Sequence, residues 1–331
     1  MLVIAEKQLN GFIEKLKGEF EFFSASGGDS LPFKKYFFPP IQEIFSLGKK
    51  NKINVAKAPA KEFILFGLSL PALEALTYLD EIMKKPNEDF FYFQKRKKAL
   101  VIGLIHQEMD VAPGGDIVFQ SVHIVGGQQD GKIYRVFLNS RRANNLVLKN
   151  KDFFEEINEK EIKIEVAKDG PSPIGEGPSF ADFAEWSKSM RELLLDSELL
   201  KDAVEWSREN HPIWEELRSQ CLGCGICTYV CPLCHCFSIE DKVGIDDKCS
   251  RCRKWDACTL PGFAKISGGY SFRPTIKERY YNWFYHKFVR AYLEYGKPQC
   301  VGCGNCKKYC PAKIDIQEIL KKILEDYKKQ Q

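Results

Sequence analysis

All thirteen cysteines of this 331-residue chain lie between Cys221 and Cys310. Six fall within the sixteen residues CLGCGICTYVCPLCHC that begin at position 221. No other feature restricts the fold as much, because sulfur at this density must be bridged, buried or bound to metal. Disulfides are the poorer reading. The count is odd, and the N-terminus, MLVIAEKQLNGF, has no basic region before its apolar residues and no small-residue cleavage site, so no secretion signal is read. A chain of this length can also build a sizeable core without covalent staples. The sequence therefore divides into a sulfur-free front part and a metal-binding back part.

One spacing occurs twice in the back part. Cys221, Cys224, Cys227 and Cys231 follow C-x2-C-x2-C-x3-C and precede Pro232, and Cys300, Cys303, Cys306 and Cys310 repeat it before Pro311. This is the bacterial ferredoxin signature, whose fourth cysteine serves the other cluster when two are present. Three thiolates in a tight loop can each reach a different iron of one [4Fe-4S] cubane, while the fourth starts a helical turn that points away. The expected sets are Cys221, Cys224, Cys227 and Cys310 for cluster one, and Cys300, Cys303, Cys306 and Cys231 for cluster two. Gly223, Gly225, Gly302 and Gly304 leave backbone amides free to approach cluster sulfides, and such contacts help set the potential. Zinc favours paired C-x2-C knuckles with a longer loop between them, a pattern these two runs do not follow.

Nearly seventy residues separate the runs, and they hold the five other cysteines: Cys234, Cys236, Cys249, Cys252 and Cys258. A C-x-C and a C-x2-C beside a cluster point to a third metal centre, either iron–sulfur or a tetrahedral zinc. His235, between two of these cysteines, reads as an outward-facing loop residue. His106, His123, His211 and His286 read as structural. No paired carboxylates, G-x-G-x-x-G after a strand, or P-loop is visible. The chain therefore reads as non-catalytic, and a partner would bind any nicotinamide or flavin.

Residues 5–19 carry Leu9, Phe12, Ile13 and Leu16 at helical spacing. EFEFFS and KKYFFPP read as strands, and FILFGL, the segment from Pro71 to Met83, and KALVIGLI as strand, helix, strand. DIVFQSVHIV and KIYRVFL around GGQQDG form a hairpin pattern, and 151–168 reads as helix. GPSPIGEGPS at 170–179 is the best linker. Ser179 and Asp182 can cap a helix near Phe180 that continues, with a break, to about Leu217. An aromatic helix from about Ile276 to Tyr295 and an amphipathic C-terminal helix complete the chain. The expected fold is an α/β platform domain over 1–169, a linker and helical connector over 170–217, and an α+β ferredoxin-like two-cluster domain over 218–331. A helical, cysteine-bearing insert occupies 233–299 of the last. Residues 280–295, YYNWFYHKFVRAYLEY, hold eight aromatics in sixteen positions, more than one buried helix face accommodates. Some of these rings, with Trp255, are therefore expected either to wrap the clusters or to face a partner.

The formal charge of +4, from 49 basic and 45 acidic residues, does not point to nucleic acid. Runs such as FILFGLSL and ALVIGLI are too short to cross a bilayer. The expectation is a cytoplasmic protein without nucleic-acid partner or membrane span.

CLGCGICTYVCPLCHC, KWDAC, GGYSFRPTIKERY and CVGCGNCKKYCPAKIDI together resemble the iron–sulfur β subunit of soluble NAD(P)-linked [NiFe] sulfhydrogenases. The A subunit of anaerobic sulfite reductase is similar. The match is specific from HPIWEE at His211 to the C-terminus and weaker over FILFGLSLPALEALTYLD and KALVIGLI. The resemblance implies an electron-transfer subunit with two [4Fe-4S] clusters. Its partners would be an FAD- and NAD(P)-binding flavoprotein subunit and the small and large subunits of a [NiFe]-hydrogenase. Other readings are the electron-input subunit of a sulfite reductase, or an assembly scaffold with structural clusters. Cys234, Cys236 and Cys258 also match family positions, whereas Cys249 and Cys252 do not. Family members carry cysteines after the strands matching FILFGL and KALVIGLI. Here those places read SLPA and HQEMD, so the front domain is expected to be a structural or docking platform without a cluster.

Overall fold

The computed structural model describes residues 1–25, 32–48, 52–56, 61–106, 114–125, 132–158, 163–166, 180–244 and 249–331. In chain order the strands are β1 (Leu2–Ala5), β2 (Glu21–Ser24), β3 (Ile41–Leu47), β4 (Ile53–Val55), β5 (Phe63–Leu68), β6 (Ala99–Ile105), β7 (Ile117–Val125), β8 (Ile133–Leu138), β9 (Glu155–Glu156), β10 (Lys163–Val166), β11 (Phe237–Val243) and β12 (Cys249–Trp255). The helices are α1 (Glu6–Glu19), α2 (Leu70–Lys84), α3 (Phe90–Arg96), α4 (Arg141–Lys149), α5 (Phe180–Leu195), α6 (Ser197–Asn210), α7 (Ile213–Gln220), α8 (Ile226–Tyr229), α9 (Ile276–Phe284), α10 (Ala291–Tyr295), α11 (Asn305–Lys308) and α12 (Ile316–Lys328). A π-helical run, Tyr285–Arg290, joins α9 to α10. No helix among the described residues is long and apolar enough to cross a membrane.

The chain forms two compact units, Met1–Asp29 with Lys57–Gly177, and Ser30–Ala56 with Pro178–Gln331. The first is built on a mixed sheet of order β2-β5-β6-β7-β8-β1-β9, with β10 on β7. Its β2-β5-β6-β7 section is parallel and the remaining pairs are antiparallel. All six residues of β5 are buried, as befits a central parallel strand covered on both faces. Alternate residues Ile64, Phe66, Leu100, Ile102, Ile117, Phe119, Tyr134 and Val136 share one core with Leu9, Phe12 and Leu16 of α1 and Leu146 and Val147 of α4. Helix α2 lies close to β6 because Gly103 has no side chain; a Cβ there would stand 2.5 Å from Leu73 Cδ1. Phe12 is fully buried against the rings of Phe119, Phe153 and Phe154. Phe12→Ala is expected to destabilise this unit by about 3–5 kcal/mol, measured by denaturant unfolding.

The second unit holds every cysteine. Residues from the front of the sequence belong to it, because β3 pairs antiparallel with β12 in a sheet of order β11-β12-β3-β4. That contribution of residues 30–56 is not foreseen by the expected division at 169. The insert also contains, besides its helix, the β11–β12 hairpin. Helices α5, α6, α7, α9 and α12 share the main core, centred on Trp214, Phe284, Phe288 and Leu320. The capping box of Thr275 with Glu278 starts the aromatic helix.

Two local expectations are corrected. KKYFFPP is not a strand: Phe33–Tyr36 is a 3-10 turn, and burial of Phe33, Lys34, Phe37 and Phe38 follows helical rather than alternating spacing. The described residues of 151–168 form no α-helix. They give a short turn at Lys151–Phe153 and strands β9 and β10, which the free edges of β1 and β7 recruit by hydrogen bonding. The linker, Ser179 and the GGQQDG turn lie outside the described residues.

Candidate metal centre

The two cysteine runs repeat in backbone as well as in sequence. Gly223 and Gly225 have φ of 63° and 78°, and Gly302 and Gly304 have 66° and 69°. These left-handed glycines turn each loop tightly before the short helices α8 and α11. Asn305 at the start of α11 donates to the Val230 carbonyl at 3.2 Å, linking one run to the other.

Two cavities open beside them. The first is lined by Cys221, Cys224, Cys227, Cys306 and Cys310, together with Thr259, Tyr280 and Trp283. The second is lined by Cys231, Cys300, Cys303 and Cys306, with Lys287 and Trp186. Each cavity thus combines three cysteines of one run with the last cysteine of the other, and Cys306 lines both. Among the described residues no three Cys, His, Asp or Glu side chains converge as a single metal ion requires. The thiols are spread around cavity walls instead.

The electrostatics set buried thiols against two buried lysines. Burial pushes the Cys227 and Cys303 thiols up to about 12, and it raises those of Cys221, Cys300 and Cys306 as well. Cys231 moves the other way. The Cys234 thiol donates to it, and against the effect of burial Lys287 and Lys34 also favour its thiolate. Lys287 and Lys34 are themselves buried, at 2 % exposure each, and among the described residues neither meets a carboxylate. The Lys287 ammonium donates to Cys231 Sγ at 3.3 Å and to the Gln299 carbonyl at 3.0 Å, and it lies 5.5 Å from the Trp283 ring centroid. Burial alone would depress it, but thiolates at Cys231, Cys234, Cys300 and Cys306 hold it well above the usual lysine range. Lys34 donates to the carbonyls of Cys234 at 2.6 Å and Thr228 at 3.3 Å, 4.4 Å from the Trp255 ring, and burial lowers it.

Two further donors are buried in the first cavity. The Trp283 indole N–H and the Thr259 hydroxyl have no acceptor among the described residues, although both residues are buried and line that wall. Unsatisfied buried donors are costly, and the inorganic sulfides or thiolates of an iron–sulfur group are acceptors of suitable chemistry. The donor set therefore fits a [4Fe-4S] cluster.

The insert cysteines are not gathered in one place. Cys234 lies beside Cys231, and the Cys258 thiol donates to Cys236. Cys252 and Cys249 ride on β12, opposite Glu240 and Val243. Phe237, next to Cys236, pairs with Trp255, so at about 3.3 Å per residue Cys252 lies roughly 10 Å along the strand and Cys249 roughly 20 Å. A single centre cannot use all five. His235 is likewise not outward-facing. It is half-buried, its Nδ1 is 3.1 Å from the Leu233 carbonyl and 3.3 Å from Gln299 Nε2, and its ring lies 6.0 Å from His286. Burial pushes His286 down to about 3. Of the eight rings in 280–295, Tyr280, Trp283, Phe284 and Phe288 are buried and Tyr281, Tyr285, Tyr292 and Tyr295 are half-buried, while Trp255 is buried against Phe38 and cannot face a partner.

Sequence reasoning missed Lys34, Lys287, Trp283 and Thr259. The available signal was a lysine enclosed by apolar residues, in PFKKYFF and again in FYHKFVR.

Residues 220–314 match the family model described as a 4Fe-4S dicluster domain. Over 304 residues, 89% of this chain and 83% of the other, the protein is 28% identical to sulfhydrogenase 2 subunit beta of Pyrococcus furiosus. No solved structure matches.

Proposed function

We propose that this chain is an electron-transfer subunit that carries two [4Fe-4S] clusters. Cys221, Cys224, Cys227 and Cys310 would hold one, and Cys300, Cys303, Cys306 and Cys231 the other. The observation that carries the reading is the pair of cavities, each of which brings three cysteines of one run to the last of the other, with Cys306 lining both. A [4Fe-4S] cluster supplies one-electron redox chemistry at potentials tuned by charge, hydrogen bonds and exposure. The chain's own residues provide the rest. Left-handed glycines shape the loops, Trp283 and Thr259 offer hydrogen bonds, and Lys287 supplies charge beside Cys231. Cys224 and Leu222 are exposed, which leaves the first cavity near the surface, where a partner's redox centre can approach.

The likeness to a sulfhydrogenase β subunit supports a place in a multisubunit complex. The partners on this reading are a flavoprotein subunit binding FAD and NAD(P) and the small and large subunits of a soluble cytoplasmic [NiFe]-hydrogenase. The front α/β unit would serve as platform. A centre in the insert would draw on Cys234, Cys236 and Cys258, without Cys249 and Cys252.

Protein purified anaerobically is expected to hold about eight iron and eight acid-labile sulfide per chain. Twelve of each would place a further cluster in the insert, one zinc beside eight iron would make that centre a zinc thiolate, and four would defeat the two-cluster reading. NAD(P)H is expected to bleach the cluster absorbance only when the flavoprotein is added. No bleaching with the whole complex present would remove the relay role.

A further inference from the structure

The two cavities differ in the charge that faces them. In the second, the hydrogen-bond donor to a cysteine sulfur is a full cation: Lys287 Nζ stands 3.3 Å from Cys231 Sγ. In the first, the two buried donors in the wall, the Trp283 indole and the Thr259 hydroxyl, are uncharged. Of the cations that act on the first cavity, Arg279 favours the Cys221 thiolate but spends its hydrogen bonds on the carbonyls of Thr259, Arg273 and Pro274, and Lys287 favours the Cys227 thiolate through space without bonding to it. On the side of the second cavity, Lys34 bonds carbonyls only, and Lys307 is neutralised by Asp315 at 2.7 Å. Lys287 is therefore the buried lysine that bonds directly to a cysteine sulfur.

Its placement is deliberate in the backbone. Lys287 sits in the π-helical run, where Lys287, Phe288 and Val289 are all buried in succession. Such wide turns inside helices concentrate at functional sites. The Gln299 carbonyl, one residue before Cys300, takes a second ammonium proton at 3.0 Å, so the lysine is held between the two sequence segments that wall the cavity. Lysine buried without a carboxylate is rare, because an uncompensated charge is expensive to desolvate.

We propose that Lys287 is a positioning residue that acts through Cys231 to make the cluster held by Cys231, Cys300, Cys303 and Cys306 the more easily reduced of the two; this rests on the two-cluster reading above. Reduction adds one electron, and hence one negative charge, to a group already anionic with its thiolates. A fixed ammonium donating to a ligand sulfur stabilises that added charge more than it stabilises the oxidised state. An electron delivered by a partner's reduced flavin then comes to rest beside Lys287, and the two clusters are ordered in potential within one chain.

The test is a redox titration of the anaerobically purified protein followed by electron paramagnetic resonance, with the signal lost in Cys310→Ser identifying the first cluster. In the unaltered protein the second cluster is expected to reduce first. In Lys287→Met its reduced-to-oxidised ratio at a fixed potential is expected to fall at least tenfold, a 59 mV shift for a one-electron couple, while the first cluster, which Lys287 reaches only through space, shifts less. Lys287→Arg, which keeps the charge, is expected to restore most of the shift. Eight iron per chain with both ratios unmoved in Lys287→Met would overturn this inference alone. Should Lys287→Met fail to load, the unaltered protein still decides: equal potentials, or first reduction at the cluster of Cys221, Cys224 and Cys227, overturns it. A protein holding four iron would overturn the two-cluster reading and this inference together.

Discussion

Cys310→Ser is expected to abolish or grossly alter the spectrum of the cluster assigned to Cys221, Cys224 and Cys227, and to leave the other nearly unchanged. By sequence distance alone the effect should fall on its own run, Cys300, Cys303 and Cys306. The first cavity predicts the reverse, because Cys310 lies on its wall across from Cys221, Cys224 and Cys227. The Ile314 amide donates to Cys310 Sγ at 3.4 Å, and the Gly223 amide donates to Cys221 Sγ at the same distance, so both thiols are held by local backbone. A serine oxygen is a poor ligand to these irons, so the iron content should drop by up to four per chain. Cys231→Ser should produce the mirror result. If Cys310→Ser instead changes the cluster of Cys300, Cys303 and Cys306, the crossed assignment fails.

Stripping the metal with a chelator under reducing conditions is expected to destabilise the second unit far more than the first. Two buried ammonium groups, Lys34 and Lys287, lie among cysteines and lack carboxylate partners among the described residues. With metal bound, thiolates supply the opposing charge; without it, burial returns thiols such as Cys227 and Cys303 to their protonated forms at neutral pH. Lys287 keeps the Cys231 thiolate as its partner even without metal, so the charge left uncompensated is that of Lys34; such a charge costs about 3–5 kcal/mol and should lower the melting temperature by on the order of 10 °C. Amide hydrogen exchange separates the units. Protection should collapse in α8, α11 and the Tyr285–Arg290 run and persist in β5 and β6. Equal protection with and without metal would mean that the unit's apolar core, centred on Trp214, Phe284 and Leu320, suffices by itself.

Much of the first unit was legible because its signals are local. FILFGL and KALVIGLI are apolar runs of strand length, and the Pro71–Met83 segment has helical spacing; all three elements form where expected. The errors fell where pairing partners decide. Residues 155–156 and 163–166 became strands because β1 and β7 offered free edges, which no window of local sequence displays. KKYFFPP became a turn because Lys34 and its neighbouring phenylalanines all had somewhere to be buried.

The two cysteine runs and the glycines within them were legible in the sequence alone. Thiolate spacing in a tight loop is a short-range requirement, and positive φ at Gly223, Gly225, Gly302 and Gly304 is a property of single residues. Three things only the tertiary structure decided: the recruitment of residues 30–56 to the cysteine-bearing unit, the separation of Cys249 and Cys252 along β12 from the other insert cysteines, and the burial of two lysines beside sulfur. Lys34 reaches Cys234 across 200 residues of chain, and Lys287 reaches Cys231 across 56. Whether a lysine ends in water or against a thiolate depends on what packs over it, and that is a property of the folded chain rather than of its neighbours in sequence.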